Sequence, residues 1–137
     1  MMRFLFIILS LSLLSGCRTL ESNHHVSHHP VARQKQIFLV IDDAGLEVRE
    51  TRQFLDIPVP MTIAVLPHLK QTKQVCAEIS RHTDKEIILH QPMEAYDRNA
   101  DTGPGTILNT THPTVVSKIL ARNLASVRGA KGMNNHM

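Results

Sequence analysis

The stretch Ile37-Phe38-Leu39-Val40-Ile41-Asp42-Asp43 decides the fold that we predict for this chain. Its first five residues are apolar, and most are β-branched or aromatic, which is typical of a strand buried on both faces. The two carboxylates that follow are costly at the end of a buried strand unless other groups pair with them. Because sites in α/β folds lie at the carboxyl ends of the strands, Asp42 and Asp43 indicate a functional site.

Strand and helix patterns alternate along the rest of the chain. We predict strands at residues 37–41, 61–66, 86–89 and 130–134, and helices at 46–55, at 70–82 and from Pro113 onward. The last helix has the clearest apolar stripe, formed by Val115, Val116, Ile119, Leu120 and Leu124. This alternation favours the α/β class, with parallel strands joined by crossover helices. Four strands could form a small open sheet or part of a (β/α) barrel, which needs about eight.

Composition sets the size of the domain and excludes one kind of partner. The formal net charge is +3, charges of both signs are interspersed, and aromatic residues make up 4% of the chain. Because a basic stripe with interleaved aromatics is missing, we expect no nucleic-acid partner. About 100 residues lie beyond the N-terminal segments, enough for one domain with a modest core. Within it, Cys76 shares a helix face with Val75 and Ile79 and is predicted to be buried.

Residues 1–16 have the pattern of a lipoprotein signal peptide. Arg3 precedes an apolar run that is shorter than the roughly 20 residues of a membrane span. The run ends in Leu14-Ser15-Gly16-Cys17, which resembles the lipobox of bacterial lipoproteins. The resemblance implies cleavage before Cys17 and lipidation of that cysteine, which would anchor the protein to a membrane. An ordinary signal peptide followed by a chance cysteine is the alternative.

Residues 17–35 are predicted to form a flexible tether, because they are polar and lack apolar periodicity. This segment contains a histidine cluster, formed by His24, His25, His28 and His29. We interpret the cluster as solvated linker rather than as a weak metal site, since a flexible segment loses conformational entropy when it holds an ion. The folded domain is then residues 36–137, facing the periplasm or the exterior of a bacterial cell.

One carboxylate and two imidazoles follow predicted strands, namely Asp43, His90 and His136. In a parallel layout all three would project from the same edge of the sheet. This combination suits Zn²⁺ or a similar divalent ion and leaves coordination positions for water and substrate. The alternatives are that the aspartates cap the following helix and that the histidines are simply hydrogen-bonded at strand ends.

Four short motifs follow one another from residue 41 to the last residue. They are Ile41-Asp42-Asp43-Ala44-Gly45, His90-Gln91-Pro92-Met93-Glu94, Gly103-Pro104-Gly105 and Gly132-Met133-Asn134-Asn135-His136-Met137. As an ordered set they resemble the divergent polysaccharide deacetylase family, a branch of the NodB-like carbohydrate esterases. The resemblance implies a distorted (β/α) barrel, a divalent metal with zinc as the first candidate, and hydrolysis of acetyl groups on polysaccharide.

The resemblance also implies a role for each motif residue. Asp43, His90 and His136 would hold the metal, and Asp42 would be the general base that takes a proton from the attacking water. Four further residues are predicted to contact the ligands or the substrate: His68, Glu94, Asn134 and Asn135. Glu94 replaces the second histidine of ordinary deacetylases, and it could ligate, orient His90 or be solvated. The two asparagines could bind sugar, brace the metal site or form a turn.

We therefore expect an exported, lipid-anchored, metal-dependent hydrolase that deacetylates envelope polysaccharide or peptidoglycan. The alternative is a non-catalytic envelope protein that keeps the fold in order to bind glycan or a partner. Glu94 and the absence of the family's later motifs support that alternative. The chain stops at Met137, directly after the fourth motif, which predicts a fragment of a longer protein.

Overall fold

Four parallel strands and three helices make up the described part of the chain. The computed structural model describes residues 35–137. In this range the elements are β1 (Val40–Ala44), α1 (Val48–Leu55), β2 (Met61–Val65), α2 (Thr72–Ile79), β3 (Lys85–Pro92), α3 (Pro113–Ser126) and β4 (Met133–His136). The strands pair in parallel, in the order β1-β2-β3-β4. They form a half-barrel, which confirms the predicted α/β class and the partial (β/α) barrel.

The predictions for the N-terminal part fall on residues outside this range. The signal peptide at residues 1–16, the lipidation site Cys17 and the tether up to residue 34 are not among the described residues. Within residues 35–137, no helix has both the length and the apolar character that a membrane crossing requires.

The core lies between the two central strands and the helices packed on them. Its largest fully buried side chains include Ile63, Val65, Val75, Ile79 and Leu89. Alternate residues of β2 and β3 point toward α2, so the apolar faces of these three elements share one core. Cys76 is buried among them, as predicted, and burial raises the pKa of its thiol to about 11. The thiol is therefore neutral at physiological pH.

The first strand differs from its prediction. β1 begins at Val40, so the two aspartates lie inside the strand instead of following it. Ile37 and Phe38 are 89% and 81% exposed, and the expectation of a strand buried on both faces is wrong. In the described residues β1 pairs only with β2, which begins at Met61 after Pro60. Thr62 N–H still donates to the Leu39 carbonyl at 2.9 Å, but Pro60 has no N–H to continue the ladder toward Ile37 and Phe38.

The third and fourth strands reach further toward the C-terminus than predicted. β3 includes His90, and β4 includes His136 as its last residue. The backbone pairs His90 with Asn134 and Pro92 with His136, which extends the ladder. Asp43, His90 and His136 therefore lie in the last residues of their strands, rather than after them as the sequence analysis assumed.

Helix α3 is present as predicted, with Pro113 in its first turn, but its apolar stripe is not a core face. Val115 and Leu124 are 44% and 42% exposed. Asn123 is the buried residue of this helix. The stripe is partly exposed because α3 packs mainly on β3, and no further strand in the described residues covers the rest of it.

Leu89 tests the position of the core. Leu89→Ala is expected to lower the free energy of unfolding by about 2–5 kcal/mol, because it removes a fully buried side chain and leaves a cavity. Leu108→Ala makes the same chemical change at an exposed position and should stay within about 0.5 kcal/mol. Urea denaturation followed by circular dichroism measures both values. Equal losses in the two variants would contradict this core.

Candidate metal centre

A bulge near the end of β1 orients both aspartates. Ile41 and Ala44 are three residues apart in β1 but pair with residues only two apart in β2. Asp43 occupies the extra position with a φ of 64°, a left-handed conformation that aspartate adopts more readily than most residues. Bulges of this kind redirect side chains beside functional sites. Simple strand alternation would have sent Asp42 and Asp43 to opposite faces, yet both carboxylates approach one histidine ring.

Three side chains from three strands meet at the carboxyl edge of the sheet. Asp43 Oδ1 lies 3.1 Å from His90 Nε2 and 3.0 Å from His136 Nδ1, and the two nitrogens are 3.2 Å apart. Ligands that bind one Zn²⁺ at about 2.0–2.2 Å lie about 3 Å from one another, so these atoms fit a shared ion. The structure thus brings together the three residues predicted as metal ligands.

Asn134 determines which nitrogen of His90 faces this group. Asn134 Nδ2 donates to Asp42 Oδ1 at 3.0 Å, which leaves its Oδ1 as the acceptor for His90 Nδ1 at 2.7 Å. His90 Nδ1 therefore carries the hydrogen, and in the neutral ring Nε2 presents a lone pair. Metal-binding histidines usually have such a partner on their outer nitrogen. Of the alternatives considered for Asn134, bracing of the site is the one with contacts to support it.

The spacing of the three candidate ligand atoms can be met by a hydrogen or by a cation. A hydrogen on His136 Nδ1 would allow one bond, either to Asp43 Oδ1 at 3.0 Å or to His90 Nε2 at 3.2 Å. One added proton can join only two of the three atoms. A divalent cation can contact all three at once, and imidazole and carboxylate are suitable ligands for it. The donor set therefore fits a metal better than a proton.

Asp42 lies beside the group without belonging to it. Its Oδ1 is 3.8 Å from His90 Nδ1, and its side chain is half-exposed. The bond from Asn134 holds the carboxylate in place. The Asp42 carboxylate is thus oriented and open to water on the Nδ1 side of the His90 ring.

Two of the other predicted site residues make contacts elsewhere. Glu94 Oε2 accepts a hydrogen bond from the backbone N–H of Asn109 at 2.6 Å, so it holds the loop after β3. It does not belong to the candidate ligand group. Asn135 donates to the carbonyl of Met137 at the chain end. This is a local contact, and Asn135 lies within β4 rather than in a turn.

A second polar group contains His68, which was predicted as a site residue, together with Asn123 and Gln91, which were not. Asn123 Nδ2 donates to Gln91 Oε1 and to the Gly105 carbonyl, at 2.8 Å each. Asn123 Oδ1 is 2.9 Å from His68 Nε2. We call these four residues the rim network. The sequence did contain a sign of this network, because Asn123 interrupts the apolar pattern of α3. An asparagine is costly to bury unless it is hydrogen-bonded.

Known proteins share both the sequence and the fold of this chain. An uncharacterized protein of Haemophilus influenzae is 28% identical over 105 residues, which cover 76% of this chain and 36% of that protein. The uncharacterized protein YibQ of Escherichia coli is 26% identical over 106 residues, which cover 74% and 31%. The chain thus spans about a third of the length of these curated relatives. The crystal structure of the uncharacterized protein ATU2773 from Agrobacterium tumefaciens C58 shares the fold, with a TM-score of 0.67 and 22% identity over 78% of this chain and 44% of that chain.

The sequence profile of the family described as "Divergent polysaccharide deacetylase" matches residues 39–137. The match includes all four strands and the three candidate ligands. One family profile therefore covers both the half-barrel and the candidate metal centre. This chain belongs to the divergent polysaccharide deacetylase family.

Proposed function

We propose that this protein is a metal-dependent hydrolase that removes acetyl groups from polysaccharide of the bacterial cell envelope. The observation that carries the proposal is the convergence of Asp43, His90 and His136 at one edge of the sheet, with Asp42 beside them. Family membership supports acetylated polysaccharide or peptidoglycan as the substrate class. Because the chain spans only part of its relatives, the activity of the whole protein is part of the proposal.

The residues of the centre have separate tasks in this proposal. Asp43, His90 and His136 would hold a divalent ion, which when bound supplies Lewis-acid activation of water and of the acetyl carbonyl. Asn134 keeps the hydrogen on His90 Nδ1, so that Nε2 remains a lone-pair donor. Asp42 accepts a proton from the attacking water while the water oxygen bonds to the acetyl carbon. As the bond from that carbon to the sugar nitrogen or oxygen breaks, the proton passes to the sugar atom and acetate is released.

We also propose that the protein works outside the cytoplasm and is held on a membrane by lipid at Cys17. The support is the sequence Leu14-Ser15-Gly16-Cys17 after an apolar run. A lipid anchor at this position would keep the domain beside envelope polysaccharide, which is where the proposed substrate lies.

Metal content tests the centre directly. The purified protein is expected to bind about one Zn²⁺ per chain, and His90→Ala should abolish binding because it removes a buried ligand. Asn134→Ala should weaken binding by about 10–100-fold, since His90 loses its orienting partner. His82→Ala is the control, because His82 precedes β3 and lies at the amino ends of the strands, away from the carboxyl ends that carry the centre. Titration with Zn²⁺, checked by elemental analysis, measures all four proteins, and equal binding by His90→Ala and His82→Ala would exclude this centre.

Acetate release tests the chemistry. With acetylated chitooligosaccharide or peptidoglycan as substrate, Asp42→Asn should lower kcat by about 10²–10⁴-fold, because the amide cannot accept the proton. Its metal content should stay unchanged. Asp56→Asn makes the same substitution on an exposed residue at the end of α1 and should retain full activity. A wild-type protein that binds glycan and metal but releases no acetate would instead support the non-catalytic alternative.

Mass spectrometry of the protein recovered from membranes tests the anchor. The mature chain should begin at Cys17 and carry the additional mass of acyl groups. Cys17→Ser should appear in the soluble fraction without that mass, because serine has no thiol to acylate. An unmodified Cys17 in the mature wild-type protein would contradict the anchor while leaving the proposal for the metal centre unaffected.

A further inference from the structure

The rim network of Gln91, Asn123, Gly105 and His68 has no task in the function proposed above. Gln91 and Asn123 are almost completely buried, whereas His68 is exposed. The network begins one residue after the candidate ligand His90 and ends at the His68 ring. Buried polar groups that are fully hydrogen-bonded fix the orientation of their members.

Backbone carbonyls determine how both amides are oriented. Gln91 Nε2 donates to the carbonyls of Pro92 at 2.7 Å and Gly105 at 3.1 Å, so its Oε1 faces Asn123. Asn123 Nδ2 donates to that Oε1 and to the Gly105 carbonyl. Carbonyl oxygens can only accept, so turning either amide over would lose hydrogen bonds in a buried place. Asn123 therefore presents Oδ1, an acceptor, to His68.

This orientation determines the tautomer of His68. Its Nε2 lies 2.9 Å from Asn123 Oδ1 and must carry the hydrogen. In the neutral ring, Nδ1 then has a lone pair and can only accept. His68 thus differs from an ordinary surface histidine, whose two neutral tautomers interconvert.

The backbone places His68 at the carboxyl end of the sheet, as it does the candidate ligands. His68 follows the end of β2, and β2 runs between β1, which carries Asp43, and β3, which carries His90. Its φ of 59° is left-handed, and such conformations in residues other than glycine concentrate at functional sites.

Gly105 shows how closely the network is packed. A Cβ on Gly105 would lie 2.4 Å from Asn123 Oδ1, and the glycine φ of 82° is also left-handed. Only glycine lets the loop approach Asn123 closely enough for its carbonyl to accept both amide donors. The loop, the helix and the histidine are therefore held as one unit.

We propose that His68 is a substrate-binding residue whose Nδ1 accepts a hydrogen bond from an N–H or O–H group of the acetylated sugar. The identity of the ligand rests on the proposed function. Acetamido sugars carry such donors in their amide and in their hydroxyl groups. Asn123 and Gln91 are positioning residues. They keep the hydrogen on His68 Nε2, which leaves Nδ1 as an acceptor.

Two substitutions separate the roles of the two ring nitrogens. His68→Asn places an oxygen acceptor near the position of Nδ1, and asparagine adopts left-handed φ values readily. His68→Gln places an amide nitrogen near the position of Nε2 and keeps a donor for Asn123. Calorimetric titration of the zinc-loaded full chain with an N-acetylated chitooligosaccharide should show about 3–10-fold weaker binding for His68→Gln and near wild-type binding for His68→Asn.

A second measurement reads the tautomer without sugar and without variants. A long-range ¹H–¹⁵N correlation spectrum of the wild-type protein should show His68 with hydrogen on Nε2. Urea unfolding and metal content of the two variants serve as controls, and both variants should remain folded and load zinc.

The proposal is overturned if both variants bind equally well, whether both are weakened or neither is. It is also overturned if the spectrum places the hydrogen on Nδ1, or if the wild-type protein does not bind the oligosaccharide. Failure of the proposed function is a separate result, seen as a wild-type protein that takes up no metal or releases no acetate. A wild-type protein that releases acetate while the variants show no contrast contradicts only the role of His68.

Discussion

The register of β3 against β4 determines whether the candidate metal centre can form. The backbone pairs His90 with Asn134, and the side chains of the same two residues hydrogen-bond through Nδ1 and Oδ1. A slip of one residue would turn Asn134 to the other face and move His136 away from His90. A single strand pairing therefore fixes the distance between the two imidazoles and the tautomer of His90. Asp43, which the bulge in β1 directs toward them, completes the group.

The position of the centre couples metal binding to the stability of the sheet. In the described residues β1 and β4 are edge strands with one partner each, and edge strands are the least constrained part of a sheet. The candidate ligands come from β1, β3 and β4, so an ion held by them would tie both edges to the centre of the sheet. Ligands of this kind make binding free energy part of folding free energy.

Much of this arrangement could be predicted from the sequence. Alternating apolar runs gave the parallel strands, and the motifs gave Asp43, His90 and His136 as one group. The bounds of β1 could not be predicted, because local apolarity does not show in which register the strand pairs with β2. The exposed side of α3 was missed for a similar reason, since an apolar stripe does not show what packs against it. The bulge depends on contacts between distant strands, which no local pattern contains.

Strand β3 also explains why two polar groups can form side by side. His90 and Gln91 are neighbours, so their side chains point to opposite faces of the sheet. His90 turns toward the candidate ligands, whereas Gln91 turns toward Asn123 on α3. An apolar residue in place of Asn123 would leave Gln91 Oε1 without a hydrogen-bond donor and would remove one of the two donors to the Gly105 carbonyl. Burying a polar group without its partner is costly. The asparagine in the apolar pattern of α3 is thus explained by what lies opposite it, and the same strand that positions a candidate ligand also anchors the network that orients His68.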